Sequence, residues 1–213
     1  MSDDLEQRLR AARERLTQLS GADSGTWHAA FEELRAAQRA LAAARGEEYA
    51  EPVDLGPVWD VGAPLPHLIA SGSRAFIVCR ADVPDPNWYG TSVTMVSPSD
   101  AEPTELLVIE AQGCAEVRHG GPNDEALSGH PLGERGLMSY RVNEVHNSAW
   151  TEHAIRVNSA HPMHRDEPFR ALRHFVLPFH DNTVEVLARS LEITLVTGTI
   201  RDVLIRLSEQ LTS

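Results

Sequence analysis

Histidine is concentrated in one part of the chain. Eight of the ten His residues lie between positions 119 and 180, which is under a third of the 213 residues. Imidazole titrates near neutral pH and binds borderline metal ions such as zinc. This concentration predicts that the working surface of the protein lies between His119 and Glu185.

One set of candidates has the chemistry of metal ligands. His161 and His164 form a His-x-x-His pair, which places two imidazoles on one side of a turn or helix. His180 and Glu185 flank a predicted hairpin turn, where they could share one rim of a sheet. His174 points to the same face, but roughly 20 Å of extended strand separates it from His180. We therefore predict His161, His164, His180 and Glu185 as ligands; the cofactor is left open, and a divalent metal would suit these donors. The alternative for His161 and His164 is a loop whose side chains meet water.

A second set could carry general acid–base catalysis. Asp124 and Glu125 follow a rigid Gly-Gly-Pro turn, His130 comes shortly after them, and Asp181 lies beside His180. A carboxylate paired with an imidazole supplies the parts for proton transfer. The alternative is an Asx-turn or helix cap in which Asp124 or its neighbour Asn123 bonds backbone N–H groups. We predict Asp124, Glu125, His130 and Asp181 as catalytic residues.

Other familiar chemistries have no support in the sequence. All 19 basic residues are Arg, so no Lys is present to form a Schiff base. The GxSxG, Walker A, HExxH and GxGxxG motifs are absent. Ser128 and Ser148 lack any indicated base. Cys79 and Cys114 lie in apolar runs and are expected to be buried, inert thiols.

Charge limits the classes of partner. The formal net charge is −12, and no basic run interrupts the acidic surface. Phosphate backbones and anionic membranes repel such a surface, so we expect neither nucleic acid nor a membrane as a partner. The N-terminus shows no apolar signal-peptide core and no run is long enough to span a bilayer, so we expect a cytoplasmic protein.

The elements that must position these candidates begin with two helices. Apolar residues alternate at spacings of three and four through residues 3–45, and the segment 20–25 interrupts them. This pattern predicts an antiparallel helical hairpin over residues 1–46. The hairpin could form a homodimer or dock a partner, or it could pack on its own domain.

The remainder, residues 47–213, reads as a β-rich domain carrying the polar loops. Short apolar runs, among them 53–61 and 91–97, alternate with Pro- and Gly-rich turns, and residues 183–195 read as one strand. A short helix is predicted over 149–158, with Ser148 as its N-cap, and a last helix over about 199–211. The predicted fold is α+β: a helical hairpin, a mainly antiparallel β-sandwich or open barrel, and a C-terminal helix.

The runs GGPNDEALSGHPLGERGL, NEVHNSAW, VNSAHPMH and HFVLPFHDNTVEVLA resemble an uncharacterised bacterial family with PNDE…GHPL, NS-x-W, N-x-x-H and FHD-x-x-x-E blocks. The resemblance covers roughly residues 55–190, implies no activity, and differs at Val184, where that family is expected to carry an aromatic residue. The residues that fall in its blocks are mostly polar, which implies a site: Asn123, Asp124, Glu125, His130, Asn147, Trp150, Asn158, His161, His180, Asp181 and Glu185.

Two functions from different classes fit these observations. The first is a small-molecule enzyme with a His/Asp/Glu site, in which polar loops converge at one end of the β-fold, with or without a metal. The second is a non-catalytic acidic binding protein, of the immunity or regulatory type, whose charge complements a basic partner.

Overall fold

The computed structural model describes residues 2–84 and 95–212. The helices in those ranges are α1 (Ser2–Gln18), α2 (Ser24–Ala44), α3 (Ala149–Asn158), α4 (Glu167–Arg170) and α5 (Ile200–Thr212). The strands there are β1 (Tyr49–Pro52), β2 (His67–Ser71), β3 (Arg74–Arg80), β4 (Thr104–Gln112), β5 (Glu116–Gly120), β6 (Asn143–His146), β7 (Arg173–Pro178), β8 (Thr183–Ala188) and β9 (Ser190–Gly198). None of the helices described is both long and apolar enough to cross a membrane.

The strands form two antiparallel sheets, in the orders β1-β6-β7-β8-β5 and β2-β3-β4-β9. Their facing sides share one apolar core that includes Trp59, Ile77, Leu107, Phe175 and Val186. Because side chains alternate along a strand, every second residue of β7 and β8 points into this core. The predicted α+β fold is confirmed, and its β-part is a sandwich.

Each sheet has an outer face with a different cover. Helix α5 lies on the four-stranded sheet and packs Ile200, Val203 and Leu207 against Phe76 and Val78. Helix α3 lies on the five-stranded sheet, and so do residues 121–142, which we call the cover segment. The candidate site is on this second outer face, between the two parts of its cover.

The helical hairpin packs on its own chain. Asp23 caps α2 by accepting from the backbone N–H of Thr26. The guanidinium of Arg35 donates to the carbonyl of Gly133, and that of Arg39 donates to the carbonyl of Gly136 over 3.4 Å. Dimerisation through these helices stays a prediction.

Two predicted strands differ from the structure. Residues 53–61 form no strand, because Asp54 accepts from the backbone of Gly56 and Pro57 has no N–H to donate; only Trp59 makes an isolated bridge. The run 183–195 is divided at Arg189, since β8 pairs with β7 while β9 pairs with β4 of the other sheet. Most of the predicted strand 91–97 falls outside the described residues.

Candidate functional site

Glu185 is placed on the outer face of the five-stranded sheet by its neighbours on β8. Val184 and Val186 are fully buried in the sandwich core, so the side chain between them points the opposite way. In the register of the sheet, Glu185 lies beside Val176 of β7 and Arg118 of β5. Its side chain is 21% exposed.

His174 on β7 contacts Glu185 directly. Its Nε2 lies 3.0 Å from Oε2 of Glu185, and its Nδ1 lies 3.0 Å from Oγ of Ser148. An ionised carboxylate can only accept, so Nε2 carries the ring proton and Nδ1 of the neutral ring accepts the Ser148 hydroxyl. The same Oγ accepts the backbone N–H of Thr151 as the N-cap of α3. Trp150 meets the ring edge-on at 5.0 Å between centroids.

His130 reaches Glu185 from the cover segment. The backbone N–H of Leu132 donates to its Nδ1 over 3.1 Å, which leaves the proton of the neutral ring on Nε2. That Nε2 lies 3.7 Å from Oε1 of Glu185, a looser contact than the one made by His174. The His130 side chain is almost wholly buried.

The side chains of His130, Glu185 and His174, which we call the His–Glu–His cluster, are centred on an ionised carboxylate. The N–H groups of His130 and His174 hold the pKa of the Glu185 carboxyl below its ordinary value of 4.5. Glu185 is therefore a carboxylate at neutral pH, with one imidazole N–H directed at each oxygen. Imidazole groups transfer protons readily near neutrality, so this arrangement is suited to acid–base chemistry.

A cavity of about 600 Å³ opens onto this cluster. Its walls combine the cluster with apolar, aromatic and charged side chains from the cover segment, β5 and α3, including Arg118, Pro122, Pro131, Leu132, Trp150 and His153. A volume of this size and a lining with a few convergent polar groups are typical of small-molecule sites. On its other side His174 lines a second hollow of about 520 Å³, together with Ser148.

Trp150 is held rigidly in the cavity wall. Its Nε1 donates to Oε2 of Glu116 over 2.7 Å. The guanidinium of Arg118 lies over its ring, 3.8 Å from the centroid. The backbone N–H of Ala149, at the start of α3, donates to the Glu48 carboxylate on the cavity rim.

Asp124 belongs to a separate cluster. It accepts from the Tyr140 hydroxyl and lies 3.1 Å from Nδ1 of His180, and its backbone N–H donates to the His180 carbonyl. The side-chain hydrogen bonds with Tyr140, which has the larger effect, and with His180 lower the pKa of the Asp124 carboxyl. Burial, with the bond to Asp124, raises the pKa of the Tyr140 hydroxyl. The cluster fastens the cover segment to the turn between β7 and β8.

The remaining predicted catalytic residues have no partner in the His–Glu–His cluster. Glu125 and Asp181 are exposed. Asn123 accepts the backbone N–H of Ala126, which is the Asx-turn weighed as the alternative. Only His130 of the four predicted catalytic residues lies in the His–Glu–His cluster.

The four predicted metal ligands are not brought together. His161 accepts the backbone N–H of Met163, and His164 pairs with Asp166 at 2.9 Å. Glu185 pairs with His174 at 3.0 Å and with His130 at 3.7 Å, not with His180. Within 2–84 and 95–212 no group of three or more His, Cys, Asp or Glu side chains is arranged to hold a metal ion.

The donor chemistry of His130 also opposes a metal at the His–Glu–His cluster. A histidine that binds a metal through Nε2 carries its proton on Nδ1 and gives it to an acceptor. Nδ1 of His130 faces the N–H of Leu132, which is a donor. The site residues therefore do not fit a metal ion.

Two residues that contact Glu185 or its partner are not among the predicted site residues. The spacing along the strand separates His174 from His180, and the sequence indicates no base for Ser148, although His174 lies against it. In the Asp124 cluster, Tyr140 carries no signal in the sequence; its φ of 58° is unusual for a non-glycine residue. The thiols of Cys79 and Cys114 are buried, and burial raises the pKa of both, so neither is a nucleophile.

Comparison of the chain with protein-family models, with curated proteins and with solved structures finds no match.

Proposed function

We propose that this protein is an enzyme that carries out general acid–base chemistry on a small molecule bound in the cavity beside Glu185. The observation that carries the proposal is the ionised Glu185 held between the Nε2–H groups of His130 and His174 in the cavity wall. A carboxylate that accepts from a ring N–H is the usual partner that orients a catalytic imidazole.

The imidazole rings of His174 and His130 have different roles. His174 is bonded at both nitrogens, at 3.0 Å each, so it orients Glu185, whose carboxylate is the group that accepts a proton from the ligand. His130 is held more loosely, since its Nε2 is 3.7 Å from the carboxylate. Its N–H is therefore the group that can turn to a ligand and donate a hydrogen bond to the negative charge left on it.

The test is a turnover assay with conservative variants. Purified protein is incubated with mixtures of small metabolites, and consumption is followed by mass spectrometry. For any compound converted, Glu185→Gln and His130→Asn should lower the rate by about 100-fold or more, the usual contribution of a positioned general base and of a positioned hydrogen-bond donor. His164→Gln is the matched control, because His164 has its own carboxylate partner in Asp166, outside the site.

Two results would contradict the proposal. Conversion that survives Glu185→Gln would place the chemistry elsewhere. Compounds that bind in the cavity but are never converted, in the wild type as in the variants, would favour the non-catalytic binding protein.

A further inference from the structure

We infer that the ligand of this cavity is a small oxyanion, a molecule whose carboxylate or phosphate group is bound by Arg118. The inference rests on the proposed function and adds the chemical class of the substrate to it. Two observations support it: the N–H donors of Arg118 have no partner in the described residues, and the carboxylates at the cavity already accept hydrogen bonds from the protein.

Arg118 and Glu185 are cross-strand neighbours with opposite charges that do not pair. They are direct partners in the register of β5 and β8, a position where side chains of opposite charge normally attract. Glu185 instead accepts from His174 and lies 3.7 Å from Nε2 of His130, and the Arg118 guanidinium lies over the Trp150 ring. The carboxylate and the guanidinium are therefore held apart on the same face of the sheet.

The contact with Trp150 leaves the N–H donors of Arg118 available. A guanidinium carries five N–H donors, and the aromatic ring offers no oxygen to accept them. In the described part of the chain no carboxylate forms an ion pair with Arg118. These donors match the two oxygens of a carboxylate or phosphate.

The two carboxylates that line the cavity already accept hydrogen bonds from the protein, which favours an anionic ligand. Glu185 accepts from the Nε2–H of His174, and Glu48 accepts from the backbone N–H of Ala149. A cationic ligand would have to compete with these bonds. An anionic ligand would meet Arg118, whose donors have no acceptor in the described residues.

The test is a binding titration with two flat probes that differ in charge. Benzoate and its neutral analogue benzamide are added to ¹⁵N-labelled protein, and the Arg118 Nε–H and Trp150 Nε1–H signals are followed by NMR. Benzoate should shift both signals and bind about tenfold more tightly than benzamide, as a charge-assisted bidentate contact requires. Inorganic phosphate, added as a competitor, distinguishes a phosphate ligand from a carboxylate ligand by displacing benzoate or failing to.

Arg118→Gln should reduce the affinity for benzoate to that for benzamide. Arg201→Gln, an exposed arginine on α5, is the matched control and should leave the benzoate affinity unchanged. Equal binding of both probes, benzoate binding that survives Arg118→Gln, or no shift with any probe would overturn the inference. Each of these outcomes is distinct from loss or survival of turnover in Glu185→Gln, which tests the proposed function alone.

Discussion

His130 and His174 are held in the same tautomer by different neighbours. A backbone N–H blocks Nδ1 of His130, and the Ser148 hydroxyl faces Nδ1 of His174. In both rings the proton is left on Nε2, which faces Glu185: the carboxylate accepts the N–H of His174 and lies 3.7 Å from Nε2 of His130. The chemistry of the site therefore depends on two bonds that do not involve the carboxylate.

This arrangement predicts the proton positions that long-range ¹H–¹⁵N NMR would find above neutral pH. His130 and His174 should show the Nε2–H form. His67 is the internal control, because its Nδ1 lies 2.8 Å from the carbonyl of Leu65 and must donate to it. A His130 ring protonated at Nδ1 would contradict the geometry of the site.

The sequence predicted which residues lie in the site better than it predicted which of them contact each other. His130 and Glu185 were both selected, but for separate acid–base and metal roles. Their meeting depends on the cover segment folding back onto the sheet, which long-range bonds such as Thr183 Oγ1 to the Pro122 carbonyl secure. Spacing along the chain carries no information about such contacts.

At the scale of elements, the docking of the hairpin depends on Gly136. Its φ is +92°, and a Cβ there would lie 2.2 Å from Cγ of Arg39 and 2.6 Å from the carbonyl oxygen of Ala50. The arginine side chain can move, but the backbone of β1 cannot move without disturbing the sheet. Helix α2 and the cover segment can approach this closely only because residue 136 has no side chain.

We expect Gly136→Ala to lower the free energy of unfolding by about 3 kcal/mol, from backbone strain and the clash together. Gly56→Ala is the matched control. Gly56 has a φ of +95° with nothing within 4 Å of a Cβ, so it should lose only about 1 kcal/mol. Urea denaturation of the two variants gives both losses in the free energy of unfolding. Equal losses would show that the close approach at Gly136 adds nothing to the effect of the substitution.

Elements with local signals were predicted well. Ser148 as an N-cap marked the start of α3, and the predicted range 149–158 agrees with the structure. The division of 183–195 at Arg189 could not be predicted in the same way. Both halves are apolar and β-prone, and their membership of different sheets is decided by the partners β7 and β4.

At the scale of the whole molecule, acid should destabilise the fold. The folded state holds the pKa of Glu185, Asp124 and Glu144 below their ordinary values, through the N–H groups of histidine, the hydroxyl of Tyr140 and the guanidinium of Arg173 respectively. A lowered folded-state pKa stabilises the protein above the unfolded-state pKa, and that contribution is lost as the pH falls. The loss should therefore begin near pH 4.5, the ordinary value for Glu185.

Protonation also reduces repulsion within a chain of net charge −12, which acts in the opposite direction. Comparison with Glu185→Gln separates the two effects, because glutamine keeps the shape but cannot titrate. The urea midpoint should fall more steeply between about pH 6 and about pH 3 in the wild type than in this variant. Identical slopes would show that the folded state does not favour the Glu185 carboxylate.

The alternation of side chains along β8 sets a limit on how this protein can change. Val184 and Val186 belong to the sandwich core, while Glu185 faces the cavity. Deleting or adding one residue in the turn between β7 and β8 would shift the pairing by one position and exchange the two faces. The Glu185 carboxylate would then enter the apolar core, and valine side chains would lie opposite the imidazoles. Substitutions in that turn should therefore be tolerated far better than a change in its length.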